Sequence, residues 1–392
     1  MLFRSLLDGV KRQGEVNLVI DEEKFNSLDI ETQFLLRMLD SFRVDLPNNS
    51  KGLVNDYKFL CEAHQKQFLF DTLKLLVYKN SVPRRELFYY LTVLFNFHTS
   101  LFAIRLFRQI NSLVDNKNTK CSICKTLQSE ADFAKLINCN FHPDIFIDLT
   151  NNQDRICDAL SKQCLEHHYN EMYMYFKSHY KLVKLAEFAK TQGNPNPTLE
   201  QMVGYLNNPA IEGYFTFKLS EIANDEDLKD DPDIQSILNM TIPALDKYVE
   251  ILCSDKSNWK NLVRHHKSLM SGLCNMNRDD GFMQGGRGKQ RKYVLGNILL
   301  EVLVQLAVVS ADAKGFKTSP VTIISFVEWL KNRYGIYINE WPQGSESPEI
   351  AKSLNNNYLA LKERLRQLGF YTDLSDAFNS QVIKPRFKIE PV

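Results

Sequence analysis

Four residues near the middle of this 392-residue chain have the types and spacing of a metal site: Cys121, Cys124, Cys139 and His142, in the order C-x2-C-x14-C-x2-H. Two ligands two residues apart can grip one ion from a tight knuckle. A second knuckle completes a tetrahedron of thiolates and imidazole, the donor set of structural zinc. Such a site contributes folding energy directly, because the unfolded chain holds no preformed cage. Cys157, Cys164, His167 and His168 compete for the fourth position: Cys164-x-x-His167 repeats the second spacing, and Pro143 constrains the backbone after His142. Five of the eight cysteines lie between positions 121 and 164, a crowding that in a reducing compartment favours metal over disulfides. Catalytic zinc needs an open coordination position and a nearby carboxylate. The sequence marks neither.

Other patterns that can do chemistry are incomplete. Asp21-Glu22-Glu23-Lys24 follows the apolar Leu18-Val19-Ile20, and Asp144 and Asp148 flank a second apolar run. Acidic pairs beside a strand are what a metal-dependent nuclease uses, but neither set carries the rest of such a site. There is no G-x-x-x-x-G-K-[ST] phosphate loop and no G-x-S-x-G elbow, which argues against an ATPase of that class and against an α/β-hydrolase. The acidic run Asp225–Asp233 reads as a solvated loop. His265 and His266, between Arg264 and Lys267, read as part of a basic helix face.

The elements that must position these residues are helices. Gly (16) and Pro (13) are few while Phe (25) and Tyr (16) are many, which favours long packed helices over a β-sandwich. The expected fold class is mainly α: a helical N-terminal and middle body, a small Cys/His zinc module, and a C-terminal winged helix-turn-helix. The expected domains are 1–118 (helical), 119–170 (zinc module), 171–285 (helical middle) and 286–392 (winged helix). Leu35 to Leu39 and residues 65–79 read as helix, and Pro83-Arg84-Arg85-Glu86 reads as the start of a long core helix. His98 in that helix reads as a satisfied core histidine. Ile145 to Leu149 reads as a short strand, and helix resumes from Asp154 to Thr191. No apolar run of about eighteen residues and no signal-peptide pattern is visible, so neither a membrane span nor export is expected and a cytoplasmic location is.

Net charge is only +1, so any basic surface must be local. Two local excesses stand out. Four glycines and four cations, including Arg287, Lys289, Arg291 and Lys292, follow Asp280 and read as a flexible positive connector. Seven basic against three acidic residues lie between Lys352 and Lys388. Within that span a helix from Ser353 to Leu368 carries Leu354, Tyr358, Leu361 and Leu365 on one stripe, flanked by Asn355, Lys362 and Arg366. Phe370 to Leu374 and Gln381 to Phe387, the latter with Lys384 and Arg386, read as a hairpin. With the apolar runs Leu295–Val309 and Ile323–Leu330 before it, the order is three helices and a hairpin, and the segment resembles winged helix-turn-helix domains. That resemblance implies a groove-reading third helix and a phosphate-touching wing, giving salt-sensitive, sequence-tolerant DNA contact. Glu363 on the outward face, and an acidic insert Asn339–Glu349, suit protein docking equally well.

The runs Arg291–Leu306, Phe326–Gly335 and Leu361–Asp376 together are similar to accessory subunits of multi-gene bacterial anti-phage defence systems of the phosphorothioation- or methylation-linked type. The resemblance implies a non-enzymatic DNA-binding or scaffold subunit of a complex acting on foreign DNA, beside an ATPase or helicase. It transfers no catalytic residue. A stand-alone winged-helix transcriptional regulator and a metal-dependent nuclease subunit are the alternatives.

Overall fold

Helix dominates the computed structural model, which describes residues 10–13, 17–20, 62–116, 130–226, 228–254, 259–286, 289–312, 315–342, 344, 347–371 and 382–389. At the start β1 (Val10–Gln13) pairs antiparallel with β2 (Asn17–Ile20), Val10 opposite Ile20. The reading of the first third as helix missed this hairpin, and the run Leu35–Leu39 lies outside the described residues. α1 (Glu62–Leu76) passes through a short 3-10 turn into α2 (Arg84–Asn116), which starts directly after Pro83 as expected. By length and composition α2 resembles a membrane span, contrary to the reading from apolar runs. Its Val93, Leu94, Leu101 and Ile104 are nevertheless fully buried inside the protein, as a core helix requires.

A 3-10 stretch (Glu130–Asn138) leads to β3 (Ile145–Phe146) and then α3 (Arg155–Thr191). Asp154 starts α3 because its carboxylate accepts the otherwise orphaned N–H groups of Ile156 and Cys157. Four shorter helices follow: α4 (Leu199–Tyr205), α5 (Ala210–Ala223), α6 (Pro232–Leu238) and α7 (Ala244–Leu252). They pack with the ends of α2 and α3 around Phe188, Phe215 and Val249 in a satellite core.

After α8 (Trp259–Leu273) come β4 (Met283–Gly286) and β5 (Lys289–Tyr293), an antiparallel hairpin with Met283 opposite Tyr293. Of the segment read as a flexible connector, Met283–Gly286 and Lys289–Tyr293 are therefore sheet. The reason is burial: Phe282, Met283 and Tyr293 are all 1% exposed or less and anchor the hairpin's base in the main core. α9 (Asn297–Ala307) is followed by the hairpin β6 (Val309–Asp312) and β7 (Gly315–Thr318), then β8 (Val321–Thr322) and α10 (Ile323–Tyr334). β9 (Ile336–Tyr337), α11 (Pro348–Gln367) and β10 (Val382–Ile383) complete the described elements.

The last hundred residues are woven into the rest. β9 pairs in parallel with β3, and β10 pairs with β8, in front of α10. The main core is one continuous cluster reaching from Leu75 to Ile383. α11 starts a turn earlier than Ser353 because Ser347 caps it and Pro348 occupies its first turn. Of the expected terminal hairpin, residues 372–381 lie outside the described residues, and the Lys384 N–H donates to the Phe370 carbonyl at 2.9 Å. Gly335 ends α10 at φ 70°, and a Cβ there would stand 1.5 Å from the Pro143 carbonyl oxygen. Only glycine satisfies both the left-handed turn and that approach. The turn also aims the Gly335 carbonyl at the Ile145 N–H, 2.7 Å away, which registers β3 on β9.

Candidate nucleic-acid interface

One surface of the molecule rests on a buried ion pair, Lys292 with Asp148, that no local pattern announces. Asp148, fully buried, accepts from the Thr150 N–H at 2.8 Å and the Thr150 hydroxyl at 2.7 Å. Its other oxygen accepts from Lys292 Nζ. Lys292 also donates to Asn152 and, at 2.9 Å, to Asp158 in the first turn of α3. Burial alone would push the Asp158 carboxyl up, but the hydrogen bonds of Lys162 and Lys292 outweigh it and hold the group below the usual carboxylate range. Between these anchors Asn151 and Asn152 both take positive φ, 54° and 67°, which asparagine tolerates better than most residues. Arg364 of α11 donates to Asn151 Oδ1 at 2.6 Å and to the Leu295 carbonyl. The turn Leu149–Asp154 is thus clamped from both sides.

This clamped turn forms one wall of a cleft of about 790 Å³. The facing wall is the outward side of α11, with Asn356, Leu359, Ala360, Glu363 and Gln367 at helical spacing; Asn277–Asp279, Gln284 and the start of α9 close the ends. Seven of the lining side chains are amides: Asn151, Gln153, Asn277, Gln284, Asn297, Asn356 and Gln367. The charged ones are mostly engaged with residues outside the lining, with backbone or with an amide. Arg278 pairs with Asp280, Asp154 caps α3, and Glu363 pairs with Arg366 at 2.7 Å. The N-terminus of α9 is closed to anions, since the N–H groups of Ile298 and Leu299 already meet the Asp279 carbonyl at 2.9 and 3.3 Å.

A second, cationic pocket of about 340 Å³ lies beside the same hairpin, lined by Arg264, Lys267 and Ser268 of α8, Glu166 and Tyr169 of α3, and Arg291 of β5. Three cations face one carboxylate there. Lys267 Nζ sits 4.4 Å from the centre of the Tyr169 ring and 5.4 Å from that of Tyr173, a cation–π clamp that holds the ammonium at the surface. Arg291 Nη1 donates to the Lys267 carbonyl at 2.9 Å, fixing hairpin to helix. Burial raises the Tyr169 phenol, partly offset by Arg291.

The structure scatters the cations singled out from sequence. Arg287 lies outside the described residues, and Lys289 stands at the hairpin tip. Arg291 is in the cationic pocket, whereas Lys292, two-sided with it on β5, points inward and is 3% exposed. Inside, two carboxylates hold it, so no phosphate reaches it. Asn355 faces α10 across a smaller pocket, Lys362 lies 5.9 Å from the Tyr358 ring centre, and Arg366 is paired with Glu363. Arg386 bridges Glu301 and the Leu368 carbonyl over the Phe370 ring, and Lys384 is exposed. Arg264 and Lys267, visible in the sequence only as a basic helix face, complete the cluster that the nearby Arg291 begins.

The metal candidates divide. Cys121 and Cys124 lie outside the described residues. Cys139 and His142 share one turn, the His142 N–H donating to the Cys139 carbonyl at 2.9 Å. His142 Nε2–H donates to the Lys331 carbonyl at 3.0 Å, which leaves Nδ1 as the lone-pair nitrogen; backing a ring through one N–H onto a carbonyl is how ligating histidines are commonly oriented. Arg105 Nη2 stands 3.5 Å from Nδ1, a cation where an ion would approach, while Arg105 Nε is buried without a partner. Burial, then Arg105, push the imidazole down to about 3. Among the alternates, Cys157 and Cys164 donate to the carbonyls of Ser353 and Asp144, and His168 Nδ1 meets Tyr293 Oη at 2.8 Å. His167 lies 3.4 Å from Glu171. Among the described residues no three such groups converge. Of the nuclease candidates, Asp21 lies outside the described residues, Asp144 pairs with Arg108 at 3.0 Å and Asp148 with Lys292.

Fold and surfaces define a class: a mainly helical protein whose described clefts carry amides and cations suited to recognition. The family model for "Methylation-associated defense system protein MAD7" matches residues 2–387. The chain belongs to that family, and the resemblance to anti-phage defence subunits is upheld at that level. Searches of curated proteins and of solved structures found no match.

Proposed function

We propose that this chain is a non-enzymatic, nucleic-acid-binding subunit of its defence system. The observation that carries this reading is the cationic pocket, in which Arg264, Lys267 and Arg291 outnumber Glu166. Cations gathered on the surface, with tyrosines beside them, bind phosphate backbones by releasing counterions and discriminate little between sequences. Of the carboxylates that would serve a nuclease, Asp144 and Asp148 are engaged with Arg108 and Lys292, which disfavours a site built on that pair. On this reading the chain works in the cytoplasm with protein partners, an ATPase or helicase among them. The last hundred residues act as a winged helix embedded in the body, with α11 presenting the Asn356–Gln367 side. A structural zinc held by Cys121, Cys124, Cys139 and His142 braces the α2–α10 side.

The test is binding of labelled duplex and single-stranded DNA by fluorescence anisotropy over a salt series. Arg264→Gln and Lys267→Gln should each weaken binding about equally for unrelated sequences and flatten the log K against log salt plot by roughly 0.9 for duplex. Absence of binding at about 50 mM salt, or variants that leave the slope unchanged, refutes the reading.

A further inference from the structure

The amide-lined cleft has properties the cationic pocket lacks. Its size suits one small-molecule-sized group, in the usual range of roughly 300–1,000 Å³ for ligand sites. Its cations are already engaged: Arg364 is locked onto Asn151 and Leu295, and Arg278, though exposed, is paired with Asp280. Asp154, Asp279 and Glu363 line it, and the α9 N-terminus is already capped, so a phosphate finds no seat. Three amides, Gln153, Gln284 and Asn297, are exposed and have no side-chain partner among the described residues. Opposite them Leu359 is 49% exposed, a large apolar side chain left uncovered beside polar groups. The fitting occupant is uncharged, has a flat apolar face and offers adjacent donors and acceptors along its edge.

We infer that this cleft receives a single unpaired nucleobase, most favourably adenine, whose N6 donor and N7 acceptor match the donor–acceptor pair of an Asn or Gln amide. A neutral peptide shares the hydrogen-bonding character, but the hairpin decides between them. β4 places Gln284 in the cleft while β5, its partner strand, places Arg291 in the cationic pocket, so one rigid hairpin joins a base-sized site to a phosphate-binding one. Extruding a base costs a few kcal/mol when it is paired and least when it is already single-stranded. Mismatched or single-stranded DNA is therefore the preferred source. This inference rests on the nucleic-acid reading above, yet it is tested without the backbone.

The experiment titrates the full chain with adenosine, with adenosine monophosphate and with a neutral glutamine-containing tetrapeptide, followed by calorimetry and saturation-transfer NMR. Adenosine should bind saturably with a Kd of about 1 mM or tighter, and the monophosphate no more tightly. Asn297→Ala and Gln284→Ala, both at exposed side chains, should each weaken adenosine about fivefold, the worth of one hydrogen bond. Asn355→Ala, outside the cleft, should leave adenosine binding unchanged, and Arg264→Gln should lower DNA affinity while sparing adenosine. No saturation by about 10 mM, tighter binding of the monophosphate, or binding of the tetrapeptide in place of adenosine overturns the inference. Failure of DNA binding with adenosine binding intact would instead remove the backbone reading and leave the cleft.

Discussion

Replacing Lys292 with Met should be among the most damaging single changes available outside the apolar core. The ammonium is 4% exposed and bridges Asp148, Asn152 and Asp158. Methionine approximates the lysine stem, so packing is largely preserved and the loss is electrostatic. What remains is a fully buried Asp148 carboxylate whose hydrogen-bond donors are the Thr150 N–H and hydroxyl, with the Arg364 charge, itself bonded to Asn151 and Leu295, as the nearby cation. Removing one member of a buried pair typically costs about 3–5 kcal/mol, because the partner's desolvation is then uncompensated. Against a usual total of about 5–15 kcal/mol that is a large fraction. The assay is urea unfolding of the full chain, followed by far-ultraviolet circular dichroism and tryptophan fluorescence. Asp148→Asn added to Lys292→Met removes the stranded charge while keeping an acceptor for Thr150, so the double variant should recover more than half of the loss. The coupling energy from the cycle should be at least about 2 kcal/mol. Should Lys292→Met cost under about 1 kcal/mol, or the double variant be no more stable than the single one, the ion pair is not what anchors the Leu149–Asp154 turn.

Two further outcomes follow from burial. His64 and His98 are held below 6.5 by burial first; at His64 the Arg105 charge comes next, whereas at His98 the hydrogen bond and charge of Asp71 pull upward next without winning, and Arg333 and Arg105 add smaller downward pushes. Lowered folded values mean that the unfolded chain takes up protons the native state refuses. Their stabilisation is complete above pH 6.5 and shrinks as pH falls below it, by up to about 1.4 kcal/mol per pH unit for each ring. Urea midpoints at pH 7.5 and 5.5 should show that loss, and His64→Phe should make it shallower by about one proton's worth. The thiols make the second case: Cys157, Cys164, Cys253 and Cys274 are each pushed up to about 12 by burial. A thiol reagent should therefore leave these four of the eight cysteines unmodified in the folded protein. If zinc occupies the proposed site, Cys121, Cys124 and Cys139 should react only after a chelator has released about one equivalent of metal; reaction of Cys121 and Cys124 at equal rates with and without chelator excludes it.

Local signals were legible and long-range pairings were not. Asp154 announces α3 because a cap acts within three residues, and β3 is visible as a β-branched and aromatic run. Pro83 marks α2 for the same reason. His98 is the core histidine its helix suggested, bonded to Asp71 at 3.0 Å, 27 positions away. The site, by contrast, depends on Lys292 meeting Asp148 across 144 positions and on Asn357 donating to the carbonyl of Ile147 across 210. No periodicity or spacing encodes such partners. A cation on an alternating strand reads the same whether its side faces solvent or core, which is why Arg291 and Lys292 looked equivalent.

That same alternation explains how one hairpin serves two surfaces. Successive side chains on a strand point to opposite faces, so on β5 Arg291 faces α8 while Lys292 and its cross-strand partner Gln284 face the cleft side. Tyr293 returns to the Arg291 side, stacks on Phe282 with ring centres 5.9 Å apart, and lends its carbonyl to Ser161 Oγ at 2.6 Å. The base of the hairpin is therefore fixed in the main core, and its two faces cannot shift relative to one another without breaking that anchor. A hinged connector could let the two surfaces drift apart. A rooted hairpin holds a phosphate-binding face and a hydrogen-bonding cleft at a constant separation, which is the geometric condition for engaging one nucleotide's backbone and a neighbouring base together.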